Sequence, residues 1–160
     1  MRRPHQTALR FIAGALSLLA IHCLAAEVDP AGFVHFAPDE IQWKPTPSIP
    51  AGGESAVLYG NPGKRGLFVT RVKLPADYRI EPHTHPEERL YTVISGTFYI
   101  GFGDKFDPDR LHAFPAGSVF VVPANASHFH WTRSGDAVVQ ITGVGPSGIQ
   151  YVDPADDPRR

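Results

Sequence analysis

Between residues 55 and 144 no apolar run goes far before Gly, Pro or Asp stops it. Sixteen Pro and fifteen Gly in 160 residues set that rhythm. An amphipathic helix needs apolar residues at three- and four-residue spacings sustained over several turns, and no segment of this chain keeps that period. Short β-rich runs between turn residues read as strands instead. They are expected at 55–59, 67–74, 79–85, 90–94, 97–102, 118–122, 127–132 and 137–144. The turns fall at Asn61-Pro62-Gly63, Pro75-Ala76-Asp77, Ser95-Gly96, Pro115-Ala116-Gly117 and Ser134-Gly135-Asp136. Strands of this number and spacing predict an all-β domain, a closed barrel or a jelly roll, with an interior in which polar side chains can converge.

The first 26 residues read as a secretory signal peptide. Arg2, Arg3 and Arg10 precede the apolar and small residues of 11–24, and Ala25-Ala26 offers a cleavage site. The mature protein is therefore expected in the periplasm or outside the cell. Removing those three Arg from fifteen basic residues leaves twelve against sixteen acidic ones, a net charge near −4. Such a balance argues against a nucleic-acid partner or, after processing, a membrane partner. Cys23, the one cysteine, lies inside the signal, so neither a disulfide nor thiol catalysis is expected in the mature chain. Residues 27–54 read as an extension with possible edge strands at 33–36 and 41–43, followed by a Pro-dense extended stretch at 44–50. Residues 55–152 form the barrel, and 153–160 a loose polar tail.

His83-Thr84-His85 is the chemically suggestive motif. Side chains at i and i+2 of a strand share a face, so this pair can aim two imidazoles at one point. His128 lies in a second strand-like stretch and supplies a third. Imidazole suits Fe, Ni and Zn among divalent ions, so histidines alone do not name the metal. His35 and His112 have no such spacing and read as surface residues. Neither a Gly-x-Ser-x-Gly elbow nor a phosphate loop is present.

The stretch from Ala76 to Gly96, with His83-x-His85 at its centre, resembles the first motif of the cupin superfamily. The stretch from Gly117 to Thr132, with Pro123-x-Asn125 and His128, resembles the second. Together they cover about a third of the chain. The resemblance implies the cupin fold, a double-stranded β-helix or jelly-roll barrel. It also implies one divalent metal (Fe, Mn, Ni or Zn) on His83, His85 and His128, and oxygenase- or isomerase-type chemistry on a small molecule. A leading Gly is replaced within Pro75-Ala76-Asp77. Asn125 stands where Gly is usual, which Asn's tolerance of the left-handed region allows.

The main departure is at the acid. The family's Glu ligand would fall at Arg89, with Glu88 one residue early and Glu87, read as solvated, two. Strict alternation puts Arg89 on the face of Tyr91 and Val93 and turns Glu88 away. The fourth ligand is then Glu88, through a register shift near Pro86, or His130, or water. A metal-free alternative uses Arg89 and the histidines to bind a carboxylate or sugar. Whether the protein is an enzyme stays open at this point, as does a homodimer formed through residues 33–43.

Overall fold

Each expected strand of the barrel forms, and most differ from the sequence reading by a single residue at an end. The computed structural model describes residues 32–160, so the expected signal segment lies outside the described residues. Residues 34–160 form one unit. Its long strands are β2 (Glu54–Tyr59), β3 (Gly66–Leu74), β4 (Arg79–Thr84), β5 (Arg89–Ser95), β6 (Thr97–Phe102), β8 (Val119–Val122), β9 (His128–Trp131) and β10 (Ala137–Gly145). Three strands not expected from the sequence complete the set: β1 (Lys44–Pro45), β7 (His112–Pro115) and β11 (Gln150–Tyr151).

The strands build two antiparallel sheets, in the orders β1-β2-β3-β10-β5-β8 and β11-β4-β9-β6-β7. Alternation along β10 is strict: Ala137, Val139, Ile141 and Gly143 are buried, while the residues between them are partly exposed. This is the pattern of a sheet with one face on a core. The core joins Phe68, Leu74, Tyr91 and Val93 of the first sheet to Ile80, Phe98 and Ile100 of the second. Phe129 is also fully buried. Gly96 makes the tight β5–β6 turn at φ +72°, where an added Cβ would sit 2.0 Å from the Asp136 carbonyl oxygen.

Two expected positions of the extension are corrected. Neither 33–36 nor 41–43 is a strand; a 3-10 turn occupies Pro38–Glu40 between them. Pairing falls instead on Lys44–Pro45, against Ser55 and Glu54. Proline is tolerated there because β1 is an edge and needs no donor on its open side. The tail at 153–160, expected to be loose, holds a 3-10 turn at Pro154–Asp156 capped by Asp153. Arg159 then pairs with Asp157 and donates to the Ile149 carbonyl at 3.1 Å.

Candidate metal centre

β4 and β9 are neighbours, and their register explains how the histidines meet. Arg79 faces Trp131 and Ile80 faces His130, but His83 rather than Pro82 faces His128. One extra residue in β4, at Glu81-Pro82, shifts the pairing. Without it Ile80 and His83, three positions apart, would point to opposite sides of the sheet. With it both are buried inside. The shift lies at Pro82, which has no N–H to offer the ladder, and is distinct from the one considered near Pro86 to bring Glu88 inward.

His83, His85 and His128 each offer one ring nitrogen, and these atoms lie within 4.8 Å of one another. Each imidazole is oriented by its Nδ1, which donates to a backbone carbonyl: His83 to Glu81 at 2.7 Å, His85 to Gly148 at 2.5 Å, His128 to Ala126 at 2.8 Å. Donation from Nδ1 leaves Nε2 of each neutral ring as a lone-pair donor toward the cluster. This is how metal-binding histidines are held in one tautomer. His128 is 0% exposed, and its Nε2 is buried without a hydrogen-bond partner. A buried, unpaired ring nitrogen is costly by itself, and a divalent ion in the cluster would satisfy it. The donor set therefore fits the metal that the motif implies.

Burial keeps the cluster neutral. It is the main cause that pushes His83 down to about 3, with His128 and Arg89 adding to it against the hydrogen bond to Glu81. Burial also pushes His128 down to about 4, against the hydrogen bond to Ala126. His85 falls below the ordinary imidazole range through burial, then through the Arg89 charge.

The three histidines come together as the sequence implied; the tentative fourth ligands do not join them. Glu88 is exposed, because alternation from Arg89, Tyr91 and Val93 turns it outward. His130 is buried beside them, with its ring 4.9 Å from His128, 5.3 Å from His83 and 4.6 Å from Phe98, but it is not among the three grouped donors. Its Nδ1 is also buried without a partner. Among the described residues, His83, His85 and His128 form the one group of three or more metal-type donors.

Arg89 does enter the interior. Its Nε donates to Glu87 Oε1 at 2.7 Å, and its Nη2 donates to Ser147 Oγ at 2.7 Å and to the Gly148 carbonyl at 3.2 Å. Glu87, read from the sequence as solvated, is 8% exposed. The same alternation that places Arg89 inward carries back to Glu87, and Arg89 neutralises it there. That extension of the period was the signal available in the sequence.

His83, His85, His130 and Arg89 line one cavity of about 380 Å³ between the sheets. Its remaining wall is mostly apolar, with Val72, Leu74, Phe98, Val139 and Ile141. Thr46, Ser48 and Ile49 of the Pro-dense stretch also line it, which the sequence did not announce. Tyr78 and Tyr151 hold that stretch down through hydroxyl donation to the Pro50 and Ser48 carbonyls. Both substituted motif glycines are explained too: Asp77 and Asn125 adopt φ +56° and +60°. Thr132, the last residue of the second motif, is buried and accepts the Tyr78 backbone N–H at 3.0 Å.

Comparison with known proteins agrees with this arrangement. The family model described as Cupin matches residues 61–153. A germin-like protein of Mesembryanthemum crystallinum is 32% identical over 98 residues, 56% of this chain and 39% of that protein. Germin-like protein 3-1 of Oryza sativa subsp. japonica is 29% identical over 130 residues, 77% of this chain and 57% of the relative. The chain thus spans roughly half the length of these curated relatives or less. Among solved structures, the polyketide cyclase RemF of Streptomyces resistomycificus superposes with a TM-score of 0.66 at 16% identity. That match covers 79% of this chain and 90% of RemF. At that identity the likeness speaks for the fold alone.

Proposed function

The chain belongs to the cupin family, and on that premise we propose that it is an exported metal-binding protein that holds a small organic ligand inside its barrel. The metal is one divalent ion (Fe, Mn, Ni or Zn) on His83, His85 and His128. The observation that carries this reading is the unpartnered, fully buried Nε2 of His128 in a cluster whose three Nδ1 atoms are all spoken for. Glu87 offsets part of the Arg89 charge at 2.7 Å and so limits its opposition to the ion. Three protein ligands leave positions for a ligand, as in catalytic rather than structural metal sites. A divalent ion there supplies Lewis-acid polarisation of a substrate oxygen, or redox chemistry if it is iron.

Oxygenase- or isomerase-type activity is the catalytic form of this proposal. RemF, by its name a cyclase, supports the view that this fold accommodates enzymes. Export rests on the basic and apolar pattern of residues 1–26. Self-association as a homodimer belongs to the same reading and is measured by sedimentation. A second reading, a metal-free binding module for a carboxylate or sugar, is favoured by Arg89 lining the cavity.

The deciding experiment is metal analysis of purified protein after reconstitution with Fe(II), Mn(II), Ni(II) and Zn(II). About one equivalent of a transition metal supports the first reading; less than about a tenth favours the second. Oxygen uptake and substrate loss with small hydroxy acids, phenols and sugars then separate enzyme from binder.

A further inference from the structure

Resting on the metal reading above, we propose that the cavity selects a small monocarboxylate with an apolar body, and that Arg89 is the residue that recognises the carboxylate head.

Charge is the first argument. Three imidazoles held by Nδ1 donation are neutral donors, and no carboxylate belongs to their cluster. Glu87 is paired with Arg89 through Oε1, which balances its charge, although its Oε2 is buried without a partner. A divalent ion on the cluster therefore keeps its full double charge in a buried place, where an uncompensated charge is costly. An anionic ligand removes much of that cost; a neutral one does not.

Arg89 is the second argument. Its Nε and Nη2 make the bonds to Glu87, Ser147 and Gly148, which fix the guanidinium plane at the cavity wall. The Tyr91 hydroxyl lies beside the same guanidinium as a further hydrogen-bonding neighbour. A guanidinium fixed in its plane at the cavity wall is preorganised for a carboxylate. It also stands next to the metal cluster, since Arg89 and His85 bond the same Gly148 oxygen.

The cavity wall is the third. Val72, Leu74, Phe98, Val139 and Ile141 offer no partner to hydroxyl groups. Against that part of the wall a sugar would leave hydroxyls unpaired, whereas an alkyl chain or an aromatic ring packs there; Thr46, Ser48, Ser55 and Thr70 supply hydroxyls elsewhere in the lining. A cavity of about 380 Å³ suits a small ligand.

Calorimetric titration of the metal-loaded protein with benzoate, hexanoate, acetate and benzamide tests this, with metal content measured alongside. Benzoate and hexanoate should bind about tenfold or more tighter than both acetate, which lacks the apolar body, and benzamide, which lacks the charge. Arg89→Gln alone would strand Glu87, so the double variant Glu87→Gln/Arg89→Gln is used; it should retain metal and lose benzoate binding about tenfold or more. Benzamide binding as tightly as benzoate overturns the proposal, as does unchanged benzoate affinity in the double variant. If the wild-type protein takes up no metal, the metal reading fails on its own. Benzoate is then titrated into the metal-free protein, where binding lost in the double variant keeps the assignment to Arg89 and no binding overturns it.

Discussion

His85 and Arg89 share one acceptor: the Gly148 carbonyl oxygen receives His85 Nδ1 at 2.5 Å and Arg89 Nη2 at 3.2 Å. A single backbone atom, in the link between β10 and β11, thus orients both a metal-cluster imidazole and the cation of the cavity. The loop after β10 contributes no side chain to the metal cluster, yet it positions one of its members.

His128→Ala removes the donor whose Nε2 is buried and unpaired. Bound metal should drop from about one equivalent to under about a tenth. Elemental analysis of variant and parent, reconstituted side by side, checks it. Retention of metal would move the site elsewhere.

The fourth position gives a contrasting pair. Glu88→Gln changes an exposed side chain and should leave metal content unaltered, with stability within about 0.5 kcal/mol of the parent. Glu87→Gln breaks a buried ion pair and should cost about 3–5 kcal/mol. Urea unfolding of the metal-free proteins separates the two cases. Equal effects would show that the Glu87–Arg89 pair contributes no more than an exposed side chain.

Most of the barrel was legible because β-strand alternation and turn residues are local signals. The strands at 97–102 and 137–144, and the convergence of His83, His85 and His128, follow from periods readable along the chain. What escaped depended on partners distant in sequence. β7 and β11 are short and exist through β6 and β4. The shift at Glu81-Pro82 is visible only against His128 and His130. Glu87 is buried because of Arg89, and Ile49 because Tyr78 and Tyr151 hold the stretch around it. Composition favours none of these pairings in advance.

Acid should destabilise the metal-free fold in a defined window. His83 and His128 are held at about 3 and about 4 in the folded protein, against about 6.5 in an unfolded chain. Between those values the unfolded state binds more protons, so stability rises with pH. The contribution of the neutral rings is complete above about pH 6.5 and is lost as pH falls through the folded values. Urea midpoints from pH 7 to 4 should decline, and less steeply for His128→Gln. Parallel profiles for parent and variant would count against a neutral His128.

Asn125 tests the backbone argument. At φ +60°, Asn125→Gly should change stability by only a few tenths of a kcal/mol, while Asn125→Val should cost about 1–2 kcal/mol. Thermal melts at fixed pH read the difference. A benign Val would show that the turn can adopt another conformation.

The stretch from Thr46 to Pro50 lies before residue 61, where the match to the family begins, yet it closes one side of the cavity through Ile49. The histidine cluster and this cover are thus separate pieces of sequence. Proteins with the same three histidines can diverge in what they admit by rewriting a few residues of the cover, without disturbing a strand or a metal ligand. Grafting 46–50 between such relatives would then transfer preference for ligand size while leaving the histidine cluster as it was.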